Sequence, residues 1–249
     1  MSAQKYRSLA GKATKNVIQR FSDSAKAIPS KAWQQWASIL AIGLGLCALI
    51  MSIATRWAMN ADLQAWDKQT LLAITKHFPM SFDKGVTWQS PGNLVGMLPV
   101  VIAFAALTSW FSRPLIAATT AIAYISQFAF VWVGWGIWNR DRPDLIADGI
   151  AAPGLHSFPS GHVVVVTVVY GFLFYLWFRA SHSWLERAIV ILFALTWIGL
   201  ISMSRLVLGA HWPSDVIAGL AIALLWLFFV ILAVTRGEAY IKKYRSDVI

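Results

Sequence analysis

The sequence predicts an all-α protein that crosses a membrane six times, and three observations support this fold class. Of the 249 residues, 58% are hydrophobic and only 13% are charged, whereas soluble domains have about a quarter of their residues charged. Uncharged apolar runs recur at lengths close to the ~20 residues that a membrane helix needs. Basic residues concentrate in alternate connections between these runs. The composition excludes a disordered chain, a coiled coil, a disulfide scaffold and an ordinary cytosolic enzyme.

Each apolar run is predicted to form one membrane-spanning helix of a single bundle. The fourth run starts with a valine-rich stretch that would be typical of a buried strand in a soluble protein. Because the run is too long for most strands, and lipid requires each segment to satisfy its own backbone hydrogen bonds, we predict a helix there too. The predicted spans are Ala37–Thr55, Leu94–Trp110, Pro114–Trp138, Val163–Phe178, Ala188–Ser204 and Val216–Thr235.

Basic segments flank the spans, so the chain is divided into residues 1–36, a membrane domain over 37–235 and a tail over 236–249. Residues 1–36 lack the short apolar core and cleavage pattern of a secretory signal. Their seven basic residues and scattered apolar ones suit either a flexible cytoplasmic tail or an interfacial helix on anionic lipid. Between the first two spans, residues 56–90 predict a short amphipathic helix followed by a turn, with no chemistry assigned.

Charge is distributed unevenly between the two sides of the predicted bundle. The termini and the connections on their side contain 14 basic and four acidic residues, whereas the opposite connections contain seven of each. The positive-inside rule therefore predicts that both termini are cytoplasmic. This asymmetry explains the net charge of +10 without a nucleic-acid partner, and none is predicted. The sequence has no Asn-x-Ser/Thr sequon, which favours a bacterial inner membrane.

Ionisable residues gather at the extracytoplasmic ends of the spans, where they are costly enough to suggest a functional site. Arg142 follows the third span directly before a proline, and Arg205 follows Ser204 at the end of the fifth. Ser160, Gly161 and His162 open the fourth span, where unpaired backbone N–H groups and the helix dipole favour an anion. Taken singly, these residues also suit an interfacial arginine, an N-cap serine and an interfacial histidine.

His211 and Asp215 lie four residues apart at the start of the sixth span, and they share one helix face if the helix begins near Trp212. A carboxylate bonded to one imidazole nitrogen would fix the tautomer and leave a lone pair on the other nitrogen. Taken alone, this pair also suits a helix cap. Together with arginine forks that match phosphate oxygens, the set suits metal-free phosphoryl transfer to histidine.

A metal site is not predicted from these residues. His156, His162, His211 and Asp215 could bind zinc in principle, but their spacing matches no zinc pattern. The extracytoplasmic connections also hold too few carboxylates at the span ends for a binuclear metal site. We therefore predict neither a metal nor a cofactor.

Two stretches resemble the second and third signatures of the type 2 phosphatidic acid phosphatases, a family that shares its active-site arrangement with vanadium haloperoxidases. The first stretch is Pro159–His162, and the second is Ser204–Arg205 with His211 and Asp215 behind it. The resemblance covers residues 37–235 and implies a six-helix core. The first family signature is only half present, because Arg142 and the following proline match while Trp135 stands where the family has a phosphate-binding lysine.

The resemblance implies a role for each matching residue. His211 would attack phosphorus and form a phosphohistidine, and Asp215 would orient and charge-stabilise it. His162 would protonate the leaving oxygen and then activate water. The phosphoryl oxygens would be held by Arg142, Arg205, Ser160, Gly161 and, if the backbone has left the helix before Pro143, by Arg140 in place of the missing lysine.

The predicted function is hydrolysis of a lipid phosphate at the extracytoplasmic membrane surface. The resemblance implies phosphatidic acid, phosphatidylglycerol phosphate, isoprenoid diphosphates or lipid A phosphates as substrates, and we favour a broad lipid phosphatase, followed by an undecaprenyl diphosphate phosphatase.

Three other functions are alternatives to hydrolysis. A lipid phosphotransferase would use the same phosphohistidine. A lipid-phosphate-binding relative without turnover is a further alternative, supported by Trp135. A channel or transporter should instead place its charges at the membrane midplane. The sequence predicts no oligomeric state.

Overall fold

The computed structural model describes residues 3–146, 149 and 156–248, and this part of the chain contains helices and no strand. A short 3-10 turn, Ser90–Gly92, separates α4 from α5. The helices are α1 (Ala3–Lys26), α2 (Ser30–Ala58), α3 (Ala61–His77), α4 (Phe82–Gln89), α5 (Leu94–Trp110), α6 (Pro114–Ile137), α7 (Gly161–Ala180), α8 (Trp184–Val207) and α9 (Pro213–Val248).

Six segments of the described chain are long and apolar enough to cross a membrane. They are α2, α6, α7, α8, α9 and the stretch Phe82–Trp110, which joins α4 to α5. The predicted all-α fold with six spans is confirmed, and the protein is an integral membrane protein. The valine-rich run of the fourth span lies inside α7, so the helix predicted there is confirmed as well.

Most helices extend beyond the apolar runs that predicted them, because polar residues continue a helix as long as its backbone stays paired. At the start of α8, Ser183 and Glu186 form a capping box in which each side chain accepts a hydrogen bond from the other residue's backbone N–H. Helix α9 continues without a break past residue 236, where the membrane domain was expected to end and the C-terminal tail to begin. The expected tail thus differs from the span in composition, and the helix continues into it.

The N-terminal segment forms a long helix, α1, in agreement with the helical one of its two interpretations. Arg20 of α1 lies over the ring of Trp110, 4.4 Å from its centroid, and donates a hydrogen bond to the Trp110 carbonyl oxygen at 3.3 Å. These contacts pack α1 against the end of α5. Contact of α1 with lipid remains a prediction.

The bundle is organised around α9, which packs against α2, α6 and α7. Trp226 of α9 is fully buried and lies edge-on to Phe130 of α6, with ring centroids 5.5 Å apart. On the outside of the bundle, large apolar side chains such as Ile53 and Leu195 are exposed. A continuous apolar exterior of this kind is expected where helices face lipid rather than water.

Glycine allows two of the neighbours of α9, α2 and α7, to approach it closely. A β-carbon at Gly43 of α2 would lie 2.4 Å from the first ring carbon of Phe229. A β-carbon at Gly171 of α7 would lie 2.6 Å from a methyl carbon of Leu227. Because lipid supplies no hydrophobic drive for helix association, close packing at small residues is a main source of stability in a membrane bundle.

Gly43→Ala is expected to lower the unfolding temperature of the detergent-purified protein, because the new methyl group overlaps the rigid base of the Phe229 ring. Overpacking of this kind costs about 1–3 kcal/mol. Gly45→Ala is the matched control on the same helix, since its β-carbon would meet nothing within 4 Å. Thermal unfolding of both variants measures the difference, and equal unfolding temperatures would contradict the described packing of α2 on α9.

Candidate active site

Four helix termini bring the predicted site residues to one end of the bundle. Consecutive spans run in opposite directions, so the C-terminal ends of α6 and α8 lie at the same end of the bundle as the N-terminal ends of α7 and α9. The Ser160 N–H donates to the Asp215 carbonyl oxygen at 3.1 Å, which joins the starts of α7 and α9 directly. The signatures that are far apart in sequence therefore meet in one place.

His211 is held in a single tautomer beneath this end. Its Nδ1 lies 2.9 Å from the carbonyl oxygen of Ser157. Because a carbonyl can only accept, Nδ1 has the proton and Nε2 of the neutral ring keeps its lone pair. Asp215 Oδ2 is farther from Nδ1, at 3.5 Å. The tautomer expected from the sequence is present, but its nearest acceptor is the Ser157 carbonyl rather than the Asp215 carboxylate.

The surroundings of His211 favour its neutral form. Burial lowers the pKa of His211 to about 4, against the opposing effect of Asp215, and the positive charges of Arg205 and Arg142 lower this pKa further. Burial also lowers the pKa of Arg142, which Asp215 raises. A neutral imidazole close to two guanidinium groups combines a nucleophilic lone pair with a strong attraction for anions.

A pocket of about 260 Å³ opens beside His211. Arg142, His162 and His211 contribute its charged and imidazole groups, and α6 contributes Phe128 and Val131 together with the polar Tyr124 and Gln127. The pocket therefore offers cations and imidazoles at one end and a hydrocarbon-like surface along the spans. Such a division suits an amphipathic ligand with an anionic head.

His162 is oriented by a residue that the sequence analysis missed. Its Nε2 lies 2.7 Å from the amide oxygen Oδ1 of Asn93, at the start of α5. An amide oxygen only accepts, so Nε2 has the proton and Nδ1 is left for exchange. In the sequence, Asn93 appeared only as a polar residue before an apolar run, which is typical of any helix start.

Several predicted phosphate ligands have polar atoms without a partner in the described part of the chain. Arg205 is only 5% exposed and its Nε has no hydrogen-bond acceptor, and the buried Ser160 hydroxyl is likewise unpaired. Gly161 is the first residue of α7, where backbone N–H groups have no acceptor within the helix. Arg142 donates to the Ala210 carbonyl oxygen at 3.0 Å. Unpaired buried donors cost free energy until an acceptor arrives.

Arg140 does not lie with these groups. Helix α6 ends at Ile137, so the backbone has left the helix before Arg140. This was the condition on which Arg140 was expected to bind phosphate. Its guanidinium, however, is buried between two carboxylates, 2.5 Å from Asp67 Oδ2 and 2.6 Å from Asp215 Oδ1. Like Arg205 and Ser160, it does not line the pocket. Arg140 therefore holds Asp215 in place in this structure, and its expected contact with phosphate stays a prediction.

Asp67 is the second residue that the sequence analysis missed. It lies on α3 and is fully buried, with Oδ1 accepting the Ser214 N–H at 2.8 Å and Oδ2 accepting the Ser214 hydroxyl at 2.6 Å. These bonds join α3 to the first turn of α9. The segment was predicted as an interfacial helix without chemistry, and nothing in its sequence separates Asp67 from the exposed Asp62 of the same helix.

Asp215 is fixed from three directions in all. Besides Arg140, the Ser157 hydroxyl donates to its Oδ2, and the Trp212 N–H donates to the same oxygen at 2.7 Å. Ser157 thus contacts both His211 and Asp215, although only its neighbours in the signature were predicted as site residues. With Pro213 as the first residue of α9, the expected helix start near Trp212 is confirmed.

Trp135 occupies the position where the family lysine was expected. Its indole lines the pocket and stacks on His156, with ring centroids 5.1 Å apart. Its Nε1–H has no hydrogen-bond partner in the described residues. His156 itself does not line the pocket, and the described part of the chain contains no group of three or more histidine, cysteine or acidic side chains placed to hold a metal ion.

Comparison with known proteins supports the signatures. The model of the PAP2 superfamily matches residues 114–238, which is just over half of the chain. Ninety-three residues are 42% identical to a lipid A 1-phosphatase of Rhizobium etli, covering 33% of this chain and 35% of that protein. A stretch of 133 residues is 30% identical to an Escherichia coli (strain K12) protein named "Putative undecaprenyl-diphosphatase YbjG", covering 51% of this chain and 60% of that protein. The chain therefore spans less than two thirds of the curated relatives it matches.

The fold is similar to that of a solved structure. A transmembrane PAP2 type phosphatidylglycerolphosphate phosphatase from Bacillus subtilis superposes with a TM-score of 0.57 at 22% identity. The match covers 76% of this chain and 92% of that protein. At this identity the likeness concerns the fold.

Asp67→Asn is expected to destabilise the protein by about 1–3 kcal/mol, because the amide NH2 group cannot accept, and at least one of the buried donors of Arg140 and Ser214 loses its acceptor. Asp62→Asn, on the exposed first turn of the same helix, is the matched control. Denaturation in a detergent of fixed composition compares the two variants. The described ion pair would be refuted if Asp67→Asn were as stable as Asp62→Asn.

Proposed function

Because the chain belongs to the PAP2 superfamily, we propose that it is a membrane phosphatase that hydrolyses lipid phosphates or diphosphates through a phosphohistidine, without a metal or cofactor. The observation that supports this most strongly is a neutral His211 beside unpaired cationic and hydroxyl donors. Arg205 and Ser160 have buried polar atoms that need an acceptor, and a phosphoryl group is an acceptor of the right charge. The amphipathic pocket next to them supports a lipid as the carrier of that group.

In the first step, the Nε2 lone pair of His211 attacks phosphorus in line with the leaving oxygen. The P–N bond forms as the P–O bond to the lipid breaks, and His162 donates a proton to the departing oxygen. Asp215 stabilises the positive charge that develops on the His211 ring at 3.5 Å. In the second step, His162 takes a proton from water, the water oxygen bonds to phosphorus and the P–N bond breaks.

The cations of the site would stabilise the negative charge that develops on the phosphoryl oxygens in the transition state. Arg142 and Arg205 would hold the phosphoryl oxygens together with the Ser160 hydroxyl and the Gly161 backbone N–H. Arg142 is oriented before substrate binds by its bond to the Ala210 carbonyl oxygen, whereas Arg205 Nε and the Ser160 hydroxyl are buried and unpaired. Donors that are oriented in advance need no reorganisation during the reaction, which is the main source of electrostatic catalysis.

Two further arguments concern the substrate and the side of the membrane. The pocket has an apolar wall along α6, so the lipid chain would follow the spans while the phosphate stays at their ends. The named activities of the two curated relatives support undecaprenyl diphosphate and lipid A 1-phosphate as candidates, beside phosphatidic acid and phosphatidylglycerol phosphate. The excess of basic residues at the opposite end supports an extracytoplasmic site with both termini cytoplasmic, in a bacterial inner membrane.

The proposal predicts phosphate release by the detergent-purified protein from at least one lipid of a panel that contains these four substrates. Release should persist in excess EDTA and be inhibited by vanadate. His211→Ala should lose at least about 10⁴-fold in kcat, as expected for a nucleophile, and His162→Ala about 10²–10⁴-fold. His77→Ala, an exposed histidine at the end of α3, is the matched control and should retain full activity.

Three results of this experiment would contradict the proposal. Release of phosphate that chelation abolishes would indicate a metal-dependent reaction. Radiolabelled phosphate that is retained in lipid rather than released to water would indicate a phosphotransferase that uses the same histidine. Vanadate binding without turnover on any lipid would indicate the binding protein that Trp135 suggested.

The pH dependence of kcat/KM should be bell-shaped, with an acid limb near pH 4. Because burial lowers the pKa of His211 to about 4, the nucleophilic neutral form is lost only as the pH falls through that value, well below the ordinary range for histidine. A basic limb is expected because the proposed first step needs a protonated group that donates to the leaving oxygen. Profiles for a lipid monophosphate and a lipid diphosphate separate the enzyme from substrate ionisation, since a limb common to both belongs to the enzyme. An acid limb centred at 6.5 would contradict the described burial.

A further inference from the structure

A second cavity, of about 940 Å³, lies at the opposite end of the bundle from the catalytic pocket. It is bounded by the last turns of α1, the α5–α6 connection, the end of α7 and the last turns of α9. None of the residues assigned to the active site lines it. We call it the basal pocket, and the basic residues that line it are Arg20, Arg113, Arg179, Lys242 and Arg245.

The basal pocket has an excess of positive charge. Its two acidic residues are already engaged, since Glu238 pairs with Arg179 at 2.7 Å and Asp23 accepts hydrogen bonds from Gln19. Arg113, Lys242 and Arg245 have no acidic partner within 4 Å in the described part of the chain. Three free cations around one cavity indicate an anionic ligand.

The helix ends around the cavity do not decide this preference, because α6 contributes its positive N-terminal end whereas α1, α7 and α9 contribute C-terminal parts. The preference for an anion therefore rests on the basic side chains. Apolar side chains of Ile28, Tyr175 and Ile241 cover other parts of the wall. A cavity with cations at its rim and apolar walls suits a head group joined to hydrocarbon better than a free inorganic anion, which would fill only a small part of 940 Å³.

The depth of the cavity along α9 corresponds to a head-group layer. At about 1.5 Å per residue, Thr235 lies about 33 Å and Arg245 about 48 Å along the helix from Pro213 at the catalytic end. A bilayer with its head groups is about 40–45 Å thick. The basal pocket therefore lies at the level of the head groups of the leaflet opposite the active site.

We propose that the basal pocket binds one anionic phospholipid of this leaflet, with the lipid phosphate among Arg113, Lys242 and Arg245. Basic pockets between membrane helices on the cytoplasmic side are a known type of anionic-lipid site. The identification of this leaflet as cytoplasmic rests on the orientation given under the proposed function, whereas the charge and shape of the cavity do not. A lipid bound there would contact α1, α6 and α9 together.

The proposal is tested with Lys242→Glu/Arg245→Glu, which reverses two charges of the pocket, and with Arg236→Glu/Lys243→Glu as the matched control. The control changes the net charge equally, on the same helix, at exposed residues that do not line the cavity. Native mass spectrometry of the full-length protein in detergent measures retention of phosphatidylglycerol, with phosphatidylcholine as the zwitterionic comparison. A lipid in the catalytic pocket adds equally to both variants, since neither changes that site.

The pocket variant should lose at least about twentyfold in affinity for phosphatidylglycerol, since each basic residue near an anionic lipid contributes about fivefold. The control should change little, and millimolar inorganic phosphate should not displace the lipid. Equal losses in the two variants would overturn the proposal in favour of diffuse surface attraction. Displacement by inorganic phosphate would overturn it in favour of a free anion. Both variants should keep the lipid phosphatase activity of the parent in detergent, so a protein that binds phosphatidylglycerol but hydrolyses nothing would refute the proposed function alone.

Discussion

The active-site end of this protein depends on one buried guanidinium. Arg140 lies between the carboxylates of Asp67 and Asp215, and all three groups are excluded from solvent. Removing such charges from water is expensive, and the cost is offset only when every charge has a partner in good geometry. The three residues come from α3, the α6–α7 connection and α9. Satisfying them therefore positions three parts of the chain at once.

The position of the imidazole follows from this arrangement. Asp215, held by Arg140, also accepts from the Ser157 hydroxyl, and the Ser157 carbonyl in turn fixes the His211 tautomer. The ionic cluster is thus linked by one serine to the ring that faces the pocket. One cation and two carboxylates give the cluster a net charge of −1, which offsets part of the positive charge of Arg142 and Arg205 near His211. Negative charge nearby lowers the electrostatic cost of holding two cations close together.

The fold could be predicted from the sequence because the membrane restricts the alternatives. The valine run in α7 is ambiguous by periodicity, but lipid permits only a helix for a segment of that length, so the ambiguity disappears. The histidines, Asp215, Arg142 and Arg205 could be named because their spacing matches family signatures. The structure places most of these groups around one end of the bundle. Their catalytic roles remain proposals.

What the sequence could not supply are contacts between segments far apart in the chain. Asp67 and Asn93 lie on helices with no signature, and their importance comes from Arg140 and His162, which are about 70 residues away in each case. Arg140 was recognised as a cation near the site, but local geometry could not tell whether its charge faced a phosphate or a carboxylate. The buried carboxylate of Asp67 makes the difference, because it pairs with Arg140. Its burial results from the packing of the whole bundle and cannot be seen in the local sequence.

The length of α9 has a consequence for the whole molecule. Its 36 residues form a rod of about 54 Å, which exceeds the ~40–45 Å of a bilayer with its head groups. Its first turn is joined to Asp67 and Arg140, so the basic residues at its far end, Lys242, Lys243 and Arg245, belong to the same continuous rod. In a helix that stands along the membrane normal, this basic end extends about 10 Å past the far head groups.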